Sequence, residues 1–189
     1  MVSVLLLLLT SFTLASPPSA AVVSEHRRLQ QEIARLAERH IWVGVERTWM
    51  DLLENGLEPS DADCVHAAHA AMAAGDLATA RARWMRVARR TERRDVIDSL
   101  YRIDHDYGRV HLSGSHELVM ETLPFLPEAA AVVQRASRQV ADTGAFEGHL
   151  PPGRYRFGYD IITVEAGAFL TLELERAEAP PSRRFGWTW

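Results

Sequence analysis

The sequence predicts an α+β protein that is mostly α: helical hairpins followed by a small β-rich unit containing one helix. Three observations predict it. Apolar residues recur at helical spacing from Leu29 to Ile103. At Tyr107-Gly108 the pattern changes to short runs bounded by Gly and Pro, as strands are. One longer stretch after Pro127 then returns to helical spacing. The expected organisation is a signal peptide over 1–21, a helical-hairpin domain over 24–106, a small α+β domain over 107–175 and a flexible tail over 176–189.

Val2 to Ala15 is apolar and holds five consecutive leucines, Leu5 to Leu9. A run of about 14 residues is too short for a hydrocarbon core about 30 Å thick. It matches the central region of a secretory signal, with Ser19-Ala20-Ala21 or Thr13-Leu14-Ala15 as the small-residue cleavage site. No Lys or Arg precedes the run, so only the α-amino group is positive there. A short buried helix and an uncleaved anchor are the alternatives. No Cys follows the run closely, so acylation of a lipoprotein type is not expected. The expected destination is therefore the periplasm or the extracellular medium, with the envelope surface as a further contact.

Charge narrows the function classes. The formal net charge is −4, which gives no general attraction to nucleic acid. All 21 basic residues are Arg, so Lys-dependent chemistry, including Schiff bases and P-loops, is absent. Cys64 is the single cysteine, so no internal disulfide forms. Its alanine-rich surroundings point to a small buried residue.

The elements follow in order. Leu29, Ile33, Leu36 and Ala37 define a first helix from about Glu25. Ile41, Trp42, Val45, Trp49, Leu52 and Leu53 define a second, from about Arg39 to the stop signal at Asn55-Gly56. Asp61 or Asp63 is the expected cap of a third, which runs to Ala74 with an alanine-rich surface. Gly75-Asp76 breaks it, and Asp76 caps a fourth helix to about Arg90. There Leu77, Ala80, Trp84, Val87 and Ala88 share one arc, with Arg83, Arg86 and Arg90 on another.

The small residues Ala68, Gly75, Asp76 and Ala80, with Trp84 four residues on, resemble a tetratricopeptide repeat. The resemblance implies two antiparallel helices crossing at small side chains, with a large residue filling the next gap. It also implies a protein or peptide partner held on a helical surface. One unit, Cys64 to Arg90, carries the match.

A fifth helix is expected from Arg93 to about Asp104, capping the helical part. Val110 to Leu112 reads as a short strand, and Leu118 to Leu126 is ambiguous. Pro127 suits a first helical position, and the helix from Glu128 to about Ala141 ends near Gly144. Arg154 to Phe157, Ile161 to Val164 and Phe169 to Leu174 are expected strands, with a type II turn at Pro152-Gly153. The Leu150-to-Tyr155 hairpin, followed by a strand and a glycine turn, looks like the small β-sandwich modules of exported bacterial proteins. A compact α+β unit is the preferred expectation, because strands are few. Phe185, Trp187 and Trp189 alternate in the tail, as in the last strand of an outer-membrane barrel. The chain is too short to supply such a barrel, so a flexible or docking tail is preferred.

Three clusters are candidates for chemistry. Seven Arg lie between Arg81 and Arg94 with one Glu. Of these, Arg83, Arg86, Arg90 and Arg94 are the candidate contacts to an acidic partner or to anionic headgroups. A solvated face paired with nearby carboxylates is the plainer explanation. Asp104, His105 and Asp106, with His111 nearby, are the alternative catalytic set, since a carboxylate-flanked His moves protons near neutral pH. No nucleophile or oxyanion motif accompanies them. His66 and His69 fall on one helix side, but Cys64 lies about 200° from His66. A metal site needs three or four ligands, so neither metal nor cofactor is expected.

Overall fold

The computed structural model describes residues 20–114 and 116–174. The expected signal peptide lies outside the described residues up to Ser19, while its last two residues, Ala20 and Ala21, open the first helix; the aromatic tail from Glu175 also lies outside them. Five helices come first: α1 (Ala20–Glu38), α2 (Trp42–Glu54), α3 (Asp61–Ala73), α4 (Leu77–Ala88) and α5 (Arg94–Asp106). Strands β1 (Gly108–Ser113) and β2 (Leu118–Met120) lead to α6 (Pro127–Thr143). Strands β3 (Ala145–Leu150), β4 (Gly153–Phe157), β5 (Asp160–Val164) and β6 (Phe169–Glu173) complete it. The protein is α+β and mostly helical, with helices packed as hairpins against their sequence neighbours.

Local chemistry sets the helix ends. α2 begins at Trp42, not Arg39, because His40 adopts φ +54° and closes a Schellman turn. Its N–H donates to Ala37 O at 2.9 Å, and Ile41 N–H donates to Leu36 O at 3.0 Å. The expected Asp caps of α3 are corrected to Ser60. Its hydroxyl accepts from Asp63 N–H, while the Asp63 carboxylate accepts from Ser60 N–H at 2.9 Å, a reciprocal capping box. The buried Asp63 also receives Gln30 Nε2 of α1 at 3.0 Å, so the cap ties two hairpins together. Asp76 caps α4 as expected, accepting from Thr79 N–H at 3.0 Å.

The strands form two three-stranded sheets, ordered β3-β1-β6 and β2-β4-β5. β1 pairs antiparallel with β3 and parallel with β6, and the second sheet is antiparallel throughout. This corrects two expectations. β3 is a strand that the sequence hid, because Gly148 interrupts its apolar run. A Cβ there would lie 2.7 Å from the Phe146 ring, which covers the glycine. The segment from Leu150 to Tyr155 is also not a hairpin, since β3 and β4 belong to different sheets. Pro151-Pro152 carries the chain from one sheet to the other. Gly153 sits at φ +155°, far from the value near +80° of a type II turn. The buried Tyr155 hydroxyl pins this corner by donating to Pro151 O at 2.7 Å. Burial pushes the Tyr155 pKa up, so the phenol stays protonated.

One core cluster runs from Trp49 on α2 through Trp84 and Ile103 to Leu112, Tyr155 and Val164. A smaller one, around Leu29, Ile33, Val45 and Leu52, holds α1 on α2 and reaches Ala70 of α3. α6 packs on both β2 and β3 and touches α3. The contact is at Gly75, with φ +76°, where a Cβ would sit 2.5 Å from the Ala131 carbonyl.

Candidate functional site

The apolar arc of α4 buries Leu77, Ala80, Trp84 and Val87. This leaves Ala82, Met85 and the neighbouring arginines outside. Arg81, Arg86, Arg89 and Arg90 line a cleft of about 670 Å³ with Ala82, Met85 and one carboxylate, Glu58. Arg81 grips Asp104 of α5 with both ends of its fork, at 2.8 and 3.0 Å. Arg86 meets Glu58 at 3.2 Å, and the Glu58 side chain is 78% exposed. Arg90 pairs with Asp61 at 2.6 Å. Arg89 has no carboxylate partner among the described residues.

Two of the expected contact arginines are placed elsewhere. Arg83 points inward and is 12% exposed. It bridges to Glu46 of α2 at 2.5 and 2.7 Å, donates to Ala67 O at 2.7 Å and lies 5.0 Å from the Trp49 ring centroid. It is an interhelical clamp rather than part of an outer face. Arg94 opens α5 with its side chain 93% exposed, 3.7 Å from Asp98 and away from the cleft lining. Arg86 and Arg90 do share the cleft, with Arg81 and Arg89, which the sequence did not single out.

The alternative catalytic set does not converge. Successive helix residues are about 100° apart, so Asp104, His105 and Asp106 point three ways. Asp104 lines a second cleft of about 360 Å³ beside the first, and His105, Asp106 and His111 are not in that lining. His105 lies against Tyr101 with ring centroids 3.9 Å apart, and Asp106 is exposed. His111 sits one rung along β1, its Nδ1 3.9 Å from Glu147. Asp104 instead meets His149 of β3, whose Nε2 is 3.9 Å away. His149 is 11% exposed, and its Nδ1 has no hydrogen-bond partner. Burial lowers its pKa, opposed by the Asp104 charge, so the neutral imidazole is favoured. Arg81 holds the Asp104 carboxyl below the usual carboxylate range. Arg109 pairs with Glu147 at 2.9 Å on the far wall of this cleft. No lining residue is Ser, Cys or Thr. His149 escaped the sequence reading because β3 did. Its only signal was that antiparallel pairing with β1 sets it opposite Arg109.

Cys64 is buried, and burial raises its thiol pKa, which keeps it unreactive. His69 lies between two tryptophans, 6.1 Å from the Trp42 ring and 5.2 Å from the Trp84 ring. The desolvation it suffers there, helped by His66, lowers its pKa. Trp49 and Trp84 are core residues, whereas Trp42 is half-buried at the surface. Among the described residues no three His, Cys, Asp or Glu side chains are placed to hold a metal ion. No described helix is long and apolar enough to cross a membrane. No family model, curated protein or solved structure significantly matches the chain.

Proposed function

We propose that this chain is a non-enzymatic binding module, exported by its leader, whose α4 cleft takes an acidic segment of a protein partner. The observation that carries the reading is the convergence of four arginines on one cleft with a single carboxylate in its lining. The Arg86–Glu58 pair is long and exposed, and such pairs contribute about 0–1 kcal/mol. A partner carboxylate can therefore replace Glu58 at little cost. Arg89 has no pair to break among the described residues. The planar guanidinium fork favours bidentate carboxylate recognition over a diffuse attraction. The tetratricopeptide-like hairpins agree with this role, since that family presents helical surfaces to peptides. The enzyme alternative has less support, because its four residues do not converge on the cleft that Asp104 lines.

A labelled glutamate-rich peptide is the probe, read by fluorescence anisotropy. The expected result is saturable binding that weakens steeply between low and physiological salt. The double variant Arg86→Glu/Arg89→Glu should raise Kd at least tenfold. Binding that is unchanged by the double variant would overturn the proposal. The control Arg94→Glu should change affinity less than threefold.

A further inference from the structure

The cleft of about 360 Å³ between α4 and the β3–β1 pair differs in charge from the α4 cleft beside it. Its lining holds two guanidiniums, Arg81 and Arg109, two carboxylates, Asp104 and Glu147, and the imidazole of His149. The charged groups already pair, Arg81 with Asp104 at 2.8 Å and Arg109 with Glu147 at 2.9 Å. Burial keeps His149 neutral. The lining therefore carries no net charge, and a ligand ion of either sign would break a pair or stand unbalanced. The α4 cleft, with four arginines against one carboxylate, favours anions instead. His149 shows which neutral group fits. Its side chain is 11% exposed, and it makes no hydrogen bond among the described residues. Nε2 faces Asp104 Oδ1 across 3.9 Å, too far for a hydrogen bond. A third group beside that line reaches both at about 2.8 Å. A hydroxyl suits the place, because it accepts from Nε2–H and donates to the carboxylate at once. Arg81 uses two of its five N–H donors on Asp104, and Arg109 uses one on Glu147. The remaining donors and the carboxylate lone pairs offer further hydroxyls the same two roles, with both ion pairs left intact.

An aromatic ring stands next to this polar cleft. β1 sets Arg109 opposite His149 on β3 and beside Phe169 on β6, so the three side chains form one row across the sheet. The Phe169 ring is 67% exposed, with the Arg109 guanidinium carbon 5.7 Å from its centroid. Neighbouring strands lie about 4.8 Å apart, so His149 and Phe169 are separated by about 10 Å. Two linked sugar rings cover that length. A sugar also combines the two kinds of contact on offer: its hydroxyls point outward from the ring edge, while its C–H faces are apolar and rest on an aromatic ring. The geometry points to a binding site for a neutral disaccharide, with the hydroxyls of one ring among Arg81, Asp104, Glu147 and His149 and the second ring on Phe169. Arg81 and Ala82 border both clefts, yet a neutral sugar and an acidic segment are recognised by different groups.

The test is titration of the isotope-labelled full chain with maltose, cellobiose, lactose and chitobiose, followed by amide NMR shifts. At least one sugar should give saturable shifts confined to 108–111, 147–149 and 168–170. Its Kd should change less than twofold between low and physiological salt, because the ligand is uncharged. Phe169→Ala and Glu147→Gln should each raise that Kd at least fivefold, while Arg94→Glu leaves it within twofold. Phe169 and Glu147 are both exposed, so the variants keep the fold, which an unchanged amide spectrum away from the sheet checks. No shift of these amides with any of the sugars, or shifts that fall elsewhere, would overturn the inference. A Kd that either variant leaves unchanged, or binding that falls steeply with salt, would overturn it too.

Discussion

Arg83 and Arg86 lie three residues apart on one helix, yet they make very different contributions. Arg83 satisfies a carboxylate and a backbone carbonyl and stacks on Trp49 from a nearly enclosed position. Removing it takes a charged hydrogen bond from the Ala67 carbonyl and a bidentate partner from the Glu46 carboxylate. Hydrogen bonds to charged groups contribute about 1.5–3 kcal/mol. Arg83→Ala should therefore lower the unfolding free energy by about 2 kcal/mol in urea titrations. Arg86→Ala should cost no more than about 0.5 kcal/mol, as exposed pairs do. His149 belongs to the same scale. Burial depresses its pKa in the fold below its unfolded value near 6.5. The unfolded chain then binds the proton more readily. The stability His149 contributes is full above about pH 6.5 and is lost as pH falls through its folded pKa. Urea midpoints should fall between pH 7 and pH 5, and His149→Gln should flatten that dependence. His69 is depressed in the same sense and leaves a residual slope.

At the scale of elements, the α3–α4 turn holds the architecture. Its Gly75 was legible in sequence as a break, but not as a contact point. The left-handed φ alone disfavours a side chain by about 1 kcal/mol, as glycine's freedom there implies. The approach to the Ala131 backbone adds a clash that no rotamer can relieve, because both partners are main chain. Gly75→Ala should therefore destabilise by more than about 2 kcal/mol, seen as a drop in Tm. Gly56→Ala is the control: it shares the positive φ, but a Cβ there meets nothing within 4 Å. The difference between the two variants isolates the docking of α6 on the hairpin. Asp76 adds to that joint, since it caps α4 and also pairs with Arg135 of α6 at 2.5 Å.

For the whole molecule, the change of pattern at residue 107 marks a change of secondary structure inside a continuous core. Trp84, Ile103, Leu112 and Tyr155 belong to one packed cluster. We expect the helical and β-rich parts to open together. Native-state hydrogen exchange should then give Ile103 and Tyr155 amides the same opening free energy, within about 1 kcal/mol. The first hairpin, held by the smaller cluster around Leu29 and Leu52, should open at lower cost.

Periodicity placed five of the six helices, β1 and the last three strands, whereas α3, buried over most of its surface, was marked by its alanine content and by its end at Gly75-Asp76. Capping chemistry gave Asp76 and the Gly144 end of α6, since those signals are local. Three features depended on residues distant in the chain. β3 became a strand only through pairing with β1, and the Pro151-Pro152 corner was decided by which sheet each flanking strand joined. The outward or inward fate of the arginines was decided by which carboxylate stood opposite: Glu46 drew Arg83 inside, and Asp104 fixed Arg81 between two clefts. The sequence by itself determined which segments carry a buried face and that the chain is α+β. Only the tertiary structure decided the composition of the α4 cleft. Helical phase says which side of α4 a residue is on, but not what another element brings within hydrogen-bond reach of it.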